Sequence, residues 1–279
     1  MNLLERQPSA DGGVKYLWGM PDAKRSVESI FFMLGGGKHV CISTQIGCPV
    51  GCIFCETGRQ KTLGNLSASE IHAQVVAATK EHGRLKRVVV AGMGEPLLNL
   101  KAVGDAARQV LHEDLADEIT ITTSGIVPEM PGLDDVPLHL LSVSLHATTN
   151  ETRTRLIPTN RKYPLEDVIA QATAYRERTG VPVMMNYLLF DGINDSDEDL
   201  ERLLKLLDPS LFSVKLKEWN EIEDSVVRMA PSTRFDIFVD GLAAGGFAVG
   251  VDRSAGVDVG GGCGQLHSKV RNMRPVTAR

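Results

Sequence analysis

From Ser67 onward, helix-like and strand-like runs alternate almost without interruption, and this alternation restricts the fold more than any other feature of the chain. The strand-like runs are Arg87 to Ala91, Glu118 to Thr123, Leu140 to Leu145, Pro182 to Phe190, Phe212 to Lys217 and Phe247 to Asp252. Helix-like runs fall at Ser67 to His82, Leu100 to His112, Pro164 to Thr179, Ser196 to Leu207 and Pro231 to Ala244. Ser67 and Glu70 stand at capping-box spacing, and Asp195-Ser196-Asp197 offers N-cap residues to a later helix. Such alternation implies parallel strands joined by right-handed crossovers. A closed eight-fold barrel is one solution, but the strand count is nearer six, so a partial (β/α)6 barrel is expected. Ahead of it, Val14 to Met20 and Val27 to Leu34 flank Pro21-Asp22-Ala23-Lys24 and read as a β-hairpin leading into a strand at His39 to Gln45. The expected division is a hairpin extension over 1–38, packed on a barrel over 39–279.

The chain of 279 residues is long enough for one large barrel, and no linker or low-complexity segment divides it. Hydrophobic content of 43% with 23% charged residues is ordinary for a soluble globular protein. There is no run of eighteen apolar residues and no secretory leader, so a cytoplasmic protein with no membrane partner is expected. A net charge of −5 gives no global attraction to nucleic acid, so such contact would need local basic patches. The stretch His267 to Arg279, with Lys269, Arg271, Arg274 and Arg279, is one such patch or a solvated tail.

The five cysteines are Cys41, Cys48, Cys52, Cys55 and Cys263. An odd count with four in one short stretch argues for metal or redox chemistry rather than a disulfide framework. Cys48, Cys52 and Cys55 form CxxxCxxC in a loop containing Gly47 and Gly51. A structural zinc site needs a fourth ligand, commonly from a second CxxC pair, and none exists here. A [4Fe–4S] cluster usually takes four cysteines, so three leave one iron open to a ligand. Polar residues also follow the predicted strands: Gly94-Glu95, Ser124, Ser144-Leu145-His146 and Asn220. That is the end at which barrel enzymes build their sites. Glu95 can accept hydrogen bonds from an amine, and Gly94 would let backbone approach a ligand.

CxxxCxxC is the radical S-adenosylmethionine (SAM) motif. The run Val40 to Asn65, together with Gly92-Met93-Gly94-Glu95-Pro96-Leu97-Leu98-Asn99, Thr123-Ser124-Gly125, Ser144-Leu145-His146-Ala147 and Cys263-Gly264-Gln265-Leu266, resembles the RlmN/Cfr family of radical SAM adenine methyltransferases. The resemblance spans roughly residues 11 to 270. It implies a radical SAM barrel, a [4Fe–4S] cluster on Cys48, Cys52 and Cys55, and SAM contacts at Gly94, Glu95, Ser124, Ser144, Leu145, His146 and Asn220. It further implies that Cys263 carries a methyl group from one SAM to C2, or else C8, of adenine. Cys41 would then release the product through a transient Cys41–Cys263 disulfide, with Glu28 as proton acceptor.

Read by itself, Cys263 sits among glycines that favour presentation of the thiol over burial, and Glu28 is either a general base or an exposed strand charge. The implied partners are ribosomal or transfer RNA and a flavodoxin- or ferredoxin-type electron donor, and a monomer is expected. Family members acting on ribosomal RNA usually carry an N-terminal helical domain, whereas ten residues precede Asp11 here, and Glu56 puts an acid beside the cysteine loop. A small-molecule or free-nucleotide acceptor is therefore the alternative, and a non-methylating iron–sulfur redox protein the second.

Overall fold

The structure, a computed structural model, describes residues 1–21 and 25–267. Residues 22–24, within the expected hairpin, and the basic stretch beyond His267 lie outside the described residues.

Four strands, β1 (Asn2–Pro8), β2 (Val14–Gly19), β3 (Ser26–Leu34) and β4 (Gly37–Ile42), form an antiparallel meander. The chain continues through β5 (Gln45–Ile46), β6 (Gly64–Asn65), α1 (Ala68–His82), β7 (Leu85–Val90), α2 (Leu100–His112), β8 (Ala116–Thr123) and β9 (Leu140–Ser144). It ends with α3 (Asn150–Leu156), α4 (Leu165–Thr179), β10 (Val183–Leu188), α5 (Asp197–Leu206), β11 (Phe212–Lys217), α6 (Ser232–Ala244) and β12 (Val249–Asp252). The main sheet has ten strands in the order β1-β2-β3-β4-β7-β8-β9-β10-β11-β12. From β4 to β12 every neighbouring pair is parallel. Because β12 stands at one end of this order and does not pair back to β4, the barrel is partial, as expected from the strand count.

Alternation along each strand divides the two faces. Leu141 and Val143 on β9, Met185 and Tyr187 on β10, and Val214 and Leu216 on β11 are buried in the main apolar core, with Tyr187 against Phe238 of α6. Their neighbours Ser142, Ser144, Asn186, Lys215 and Lys217 therefore face the concave side. Burying each large aliphatic side chain stabilises by about 1.5–3 kcal/mol, and this layer between sheet and helices accounts for most of the apolar burial.

The N-terminal extension joins the same sheet. One face of β2 and β3 packs on α1: the Tyr16 hydroxyl donates to Glu81, and the Phe31 ring stacks on His82. The opposite face carries Lys15, Glu28 and Ile30, which meet the C-terminal loop.

Helix boundaries follow their capping chemistry. Ser67 accepts from the Glu70 backbone while the Glu70 side chain accepts from the Ser67 backbone, and Ser196 with Asp199 repeats the arrangement at α5. Strand β1 and helix α3 were not anticipated: β1 is a largely exposed edge strand, and Asn150–Leu156 is too polar to show an apolar period. Because the α1 cap satisfies two otherwise unpaired donors, Ser67→Ala is expected to cost about 1 kcal/mol, seen as a fall of about 2–4 °C in the thermal midpoint.

Candidate active site

All the residues that the sequence singles out for chemistry, except Glu28, lie in or beside the loops after the parallel strands. The loop holding Cys48, Cys52 and Cys55 is pinched at its neck by the β5–β6 ribbon. It packs against a second apolar cluster that includes Val50, Phe54, Leu156, Ile157, Phe190 and Trp219. Burial pushes Cys48 up to about 12 and raises Cys52 and Cys55 as well, and in each case the charge of a neighbouring cysteine adds to the effect. Burial thus favours the neutral thiols, and a bound cation would reverse that preference. Three thiols within electrostatic reach of one another, in an apolar shell, suit iron–sulfur ligation. Among the described residues no three His, Cys, Asp or Glu side chains converge as ligands to a single ion would, whereas the thiolates of an iron–sulfur cluster bind separate irons.

Beside this loop, the Glu95 carboxylate is buried and fully engaged. Oε1 accepts from the Thr123 hydroxyl (2.5 Å) and Leu97 N–H (3.1 Å), and Oε2 from Ser124 N–H and hydroxyl (both 2.8 Å). Burial raises its pKa, and these donors oppose the rise. Gly94 precedes this carboxylate with φ 104°. A Cβ there would stand 2.7 Å from the Gln45 side chain, so the glycine makes room for Gln45, whose Oε1 accepts from Glu95 N–H at 2.8 Å.

Arg153 of α3 ties the next two strand ends together. Its guanidinium donates to the carbonyls of Ser124 (2.7 Å), Ser144 (2.9 Å) and Leu145 (3.1 Å). His146 follows with φ 55°, and its Nδ1 accepts from Leu188 N–H at 3.0 Å. That bond leaves the proton on Nε2 in the neutral ring. Burial, then the charges of Arg153 and Lys217, lower the His146 pKa to about 3, so the ring stays neutral near pH 7.

The C-terminal loop closes over the cysteine loop. Glu56 N–H donates to Gly264 O (2.7 Å) and the Thr57 hydroxyl to Leu266 O (2.5 Å). Trp219 Nε1 donates to Phe54 O (2.9 Å). Asn220 Nδ2 donates to Ser254 Oγ (2.7 Å) and Cys263 O (3.1 Å), and Cys263 N–H donates to Ser254 Oγ (3.1 Å). Asn220 therefore holds the Cys263 loop directly. The Cys263 side chain is exposed, while Cys41, facing the concave side from β4, is pushed up to about 12 by burial and then by the charge of Cys263. Both Cys41 and Cys55 lie within electrostatic reach of Cys263. Glu56 is offset by Arg59 at 3.9 Å.

Glu28 is 1% exposed, so it is no surface strand charge. Its carboxylate pairs with buried Lys15 (3.3 Å) and accepts from His267 N–H (3.0 Å), four residues beyond Cys263. Sequence reasoning missed Arg153, Trp219, Ser254 and Lys15. Trp219, a large aromatic next to Asn220 at a strand end, was the one with a visible signal.

Comparison with known proteins agrees with this fold. The family model of the Radical SAM superfamily matches residues 42–207. Dual-specificity RNA methyltransferase RlmN of Paracoccus denitrificans is 36% identical, covering 99% of this chain and 75% of the relative. The RlmN of Syntrophobacter fumaroxidans is also 36% identical, over 95% of this chain and 80% of its own length. The crystal structure of a radical SAM methyltransferase from Sphaerobacter thermophilus superposes with a TM-score of 0.89 at 37% identity, covering 95% of this chain and 80% of that one. No described helix is long and apolar enough to cross a membrane. The protein belongs to the radical SAM superfamily, as a methyltransferase of the RlmN family that works with a [4Fe–4S] cluster and SAM.

Proposed function

We propose that the protein methylates C2 of an adenine in RNA, with Cys263 as the methyl carrier. The observation that carries this reading is the direct hydrogen bonding of the Gly264–Leu266 turn to the cysteine loop, with Cys41 in electrostatic reach of Cys263. RNA is the acceptor named for the relatives that match nearly the whole chain.

The acceptor carbon sets the chemical requirement. Adenine C2 lies between two ring nitrogens and is electron-poor, so it does not attack an electrophilic methyl group, whereas a carbon radical adds to it. When bound, the cluster and SAM supply that reactivity by one-electron cleavage of SAM to a 5′-deoxyadenosyl radical, fed by a flavodoxin- or ferredoxin-type donor.

Residues of the chain do the rest. Cys48, Cys52 and Cys55 would ligate the cluster, while Gly94, Glu95, Ser124, Ser144, Leu145 and His146 line the adjoining edge for SAM. Cys263, exposed and held through its backbone by Ser254 and Asn220, takes a methyl group from one SAM as thioether. It would present that methyl for hydrogen removal and link the resulting methylene radical to the ring carbon. The adduct radical must then give up one electron, for which the bound, oxidised cluster would serve as acceptor, before the ring proton leaves. Glu28, tethered beneath the loop by Lys15 and His267, accepts the ring proton. The Cys41 thiolate then attacks the Cys263 sulfur, forming the Cys41–Cys263 disulfide and releasing the carbon, which takes up a proton to complete the methyl group.

Protein expressed with SAM is expected to carry one extra methyl on Cys263 by intact and peptide mass. Cys41→Ala is expected to accumulate a covalent protein–substrate adduct, absent from a Cys41→Ala, Cys263→Ala double variant. Nuclease digestion and mass spectrometry identify the trapped partner: a modified adenosine within an RNA fragment supports the proposal, and a small molecule alone refutes the RNA assignment.

The pH dependence follows from Cys41. A thiol held up to about 12 is almost wholly protonated near neutrality, so its thiolate fraction rises about tenfold per pH unit. Adduct resolution in a single turnover is expected to accelerate accordingly between about pH 7 and pH 9. A flat profile would show that resolution is not limited by Cys41 ionisation.

A further inference from the structure

Arg153 is among the largest fully buried side chains, 1% exposed. Beyond the three carbonyls described above, its Nη1 donates to Asn160 Oδ1 at 2.8 Å. Every one of these acceptors is uncharged, and a buried cation is ordinarily paired with an anion because desolvating it alone is costly. The anionic groups whose charges reach it are Cys52, when ionised, and Glu95, whose carboxylate already holds four other donors. Burial lowers the guanidinium to about 10, which leaves it charged at neutral pH. The residues next to Arg153 are fastened to the cysteine loop as well: Ile53 N–H donates to Leu156 O at 3.2 Å.

We infer that Arg153 is the fixed countercharge of the iron–sulfur site, a positioning residue whose buried cation is balanced by the thiolate-ligated cluster and favours its reduced state. Three thiolates on a [4Fe–4S]2+ core carry one net negative charge, and reduction adds one electron, supplied by an external donor, with no proton required. A nearby fixed cation stabilises the more negative state, since net charge around a cluster sets its potential. The same guanidinium fixes the Ser124, Ser144 and Leu145 carbonyls, so both halves of the site share one brace.

The test uses the full chain, reconstituted anaerobically with iron and sulfide and titrated with dithionite, with the cluster followed by electron paramagnetic resonance. Arg153→Met is expected to shift the reduction equilibrium about tenfold toward the oxidised form, about 59 mV for one electron. Arg153→Lys keeps the charge, and a potential close to wild type is expected. Asn160→Asp leaves Arg153 in place but gives it a protein carboxylate, and it too is expected to lower the potential. A wild-type potential in Arg153→Met or Asn160→Asp overturns the inference, as does Arg153→Lys falling as far as Arg153→Met. Should Arg153→Met fail to hold iron, measured per chain, the Asn160→Asp and Arg153→Lys potentials decide. None of these readings involves Cys263 or the methyl acceptor, so the inference and the proposed RNA methylation stand or fall separately.

Discussion

Two turns separated by most of the chain are held together by short hydrogen bonds, and the site depends on that union. The Thr57 hydroxyl and Leu266 carbonyl are 209 residues apart in sequence. The sheet that carries them is open, with β12 at an edge rather than paired to β4. Strand pairing therefore does not bring the first and last loops together; loop contacts do. Trp219 and Asn220 divide this task as consecutive residues after β11. Trp219 holds Phe54 O of the cysteine loop, and Asn220 holds Cys263 O of the carrier loop.

Around this junction the protein keeps the titratable groups it buries neutral or tightly bonded until a cofactor supplies charge. The three loop thiols are pushed upward, His146 is pushed far down, and Glu95 has four donors. Arg153 departs from this pattern, being charged, buried and bonded only to neutral oxygens. Bound thiolate-ligated iron would invert the preference of the thiols and give that cation a partner. Folding of the site and its loading are in this sense two parts of one electrostatic arrangement.

Much of the fold was legible because its signals are local. Capping at Ser67 and Ser196 and the apolar periods of α2 and α4 fix helices from a few neighbouring residues. Strand β1 was not legible because its partner β2, rather than its own largely exposed residues, makes it a strand. Helix α3 was hidden for a related reason. Asn150–Leu156 reads as a polar surface turn, yet its Arg153 points inward and is consumed by carbonyls from two other strand ends. The cysteines and the strand-end motifs could be read as chemistry because residue type and spacing carry it. The bonds that orient them could not, since Ser254, Trp219 and Lys15 act through partners distant in sequence.

A net charge of −5 bears less on RNA binding than it first suggests. Many of the acids lie on the outside in exposed ion pairs, such as Asp105 with Lys101 and Arg108, and Asp134 with Arg178. Such pairs are screened by solvent and project little field inward. The concave side has its own balance: Lys215 and Lys217 face it from β11, with Asp252 3.6 Å from Lys217. The charge of Lys217 reaches Cys41, where it partly opposes the rise caused by burial, and His146, where it adds to the lowering caused by burial. A polyanion entering the open side of the sheet meets that local field rather than the whole-chain average, so the acidic balance of the molecule does not by itself oppose an RNA acceptor.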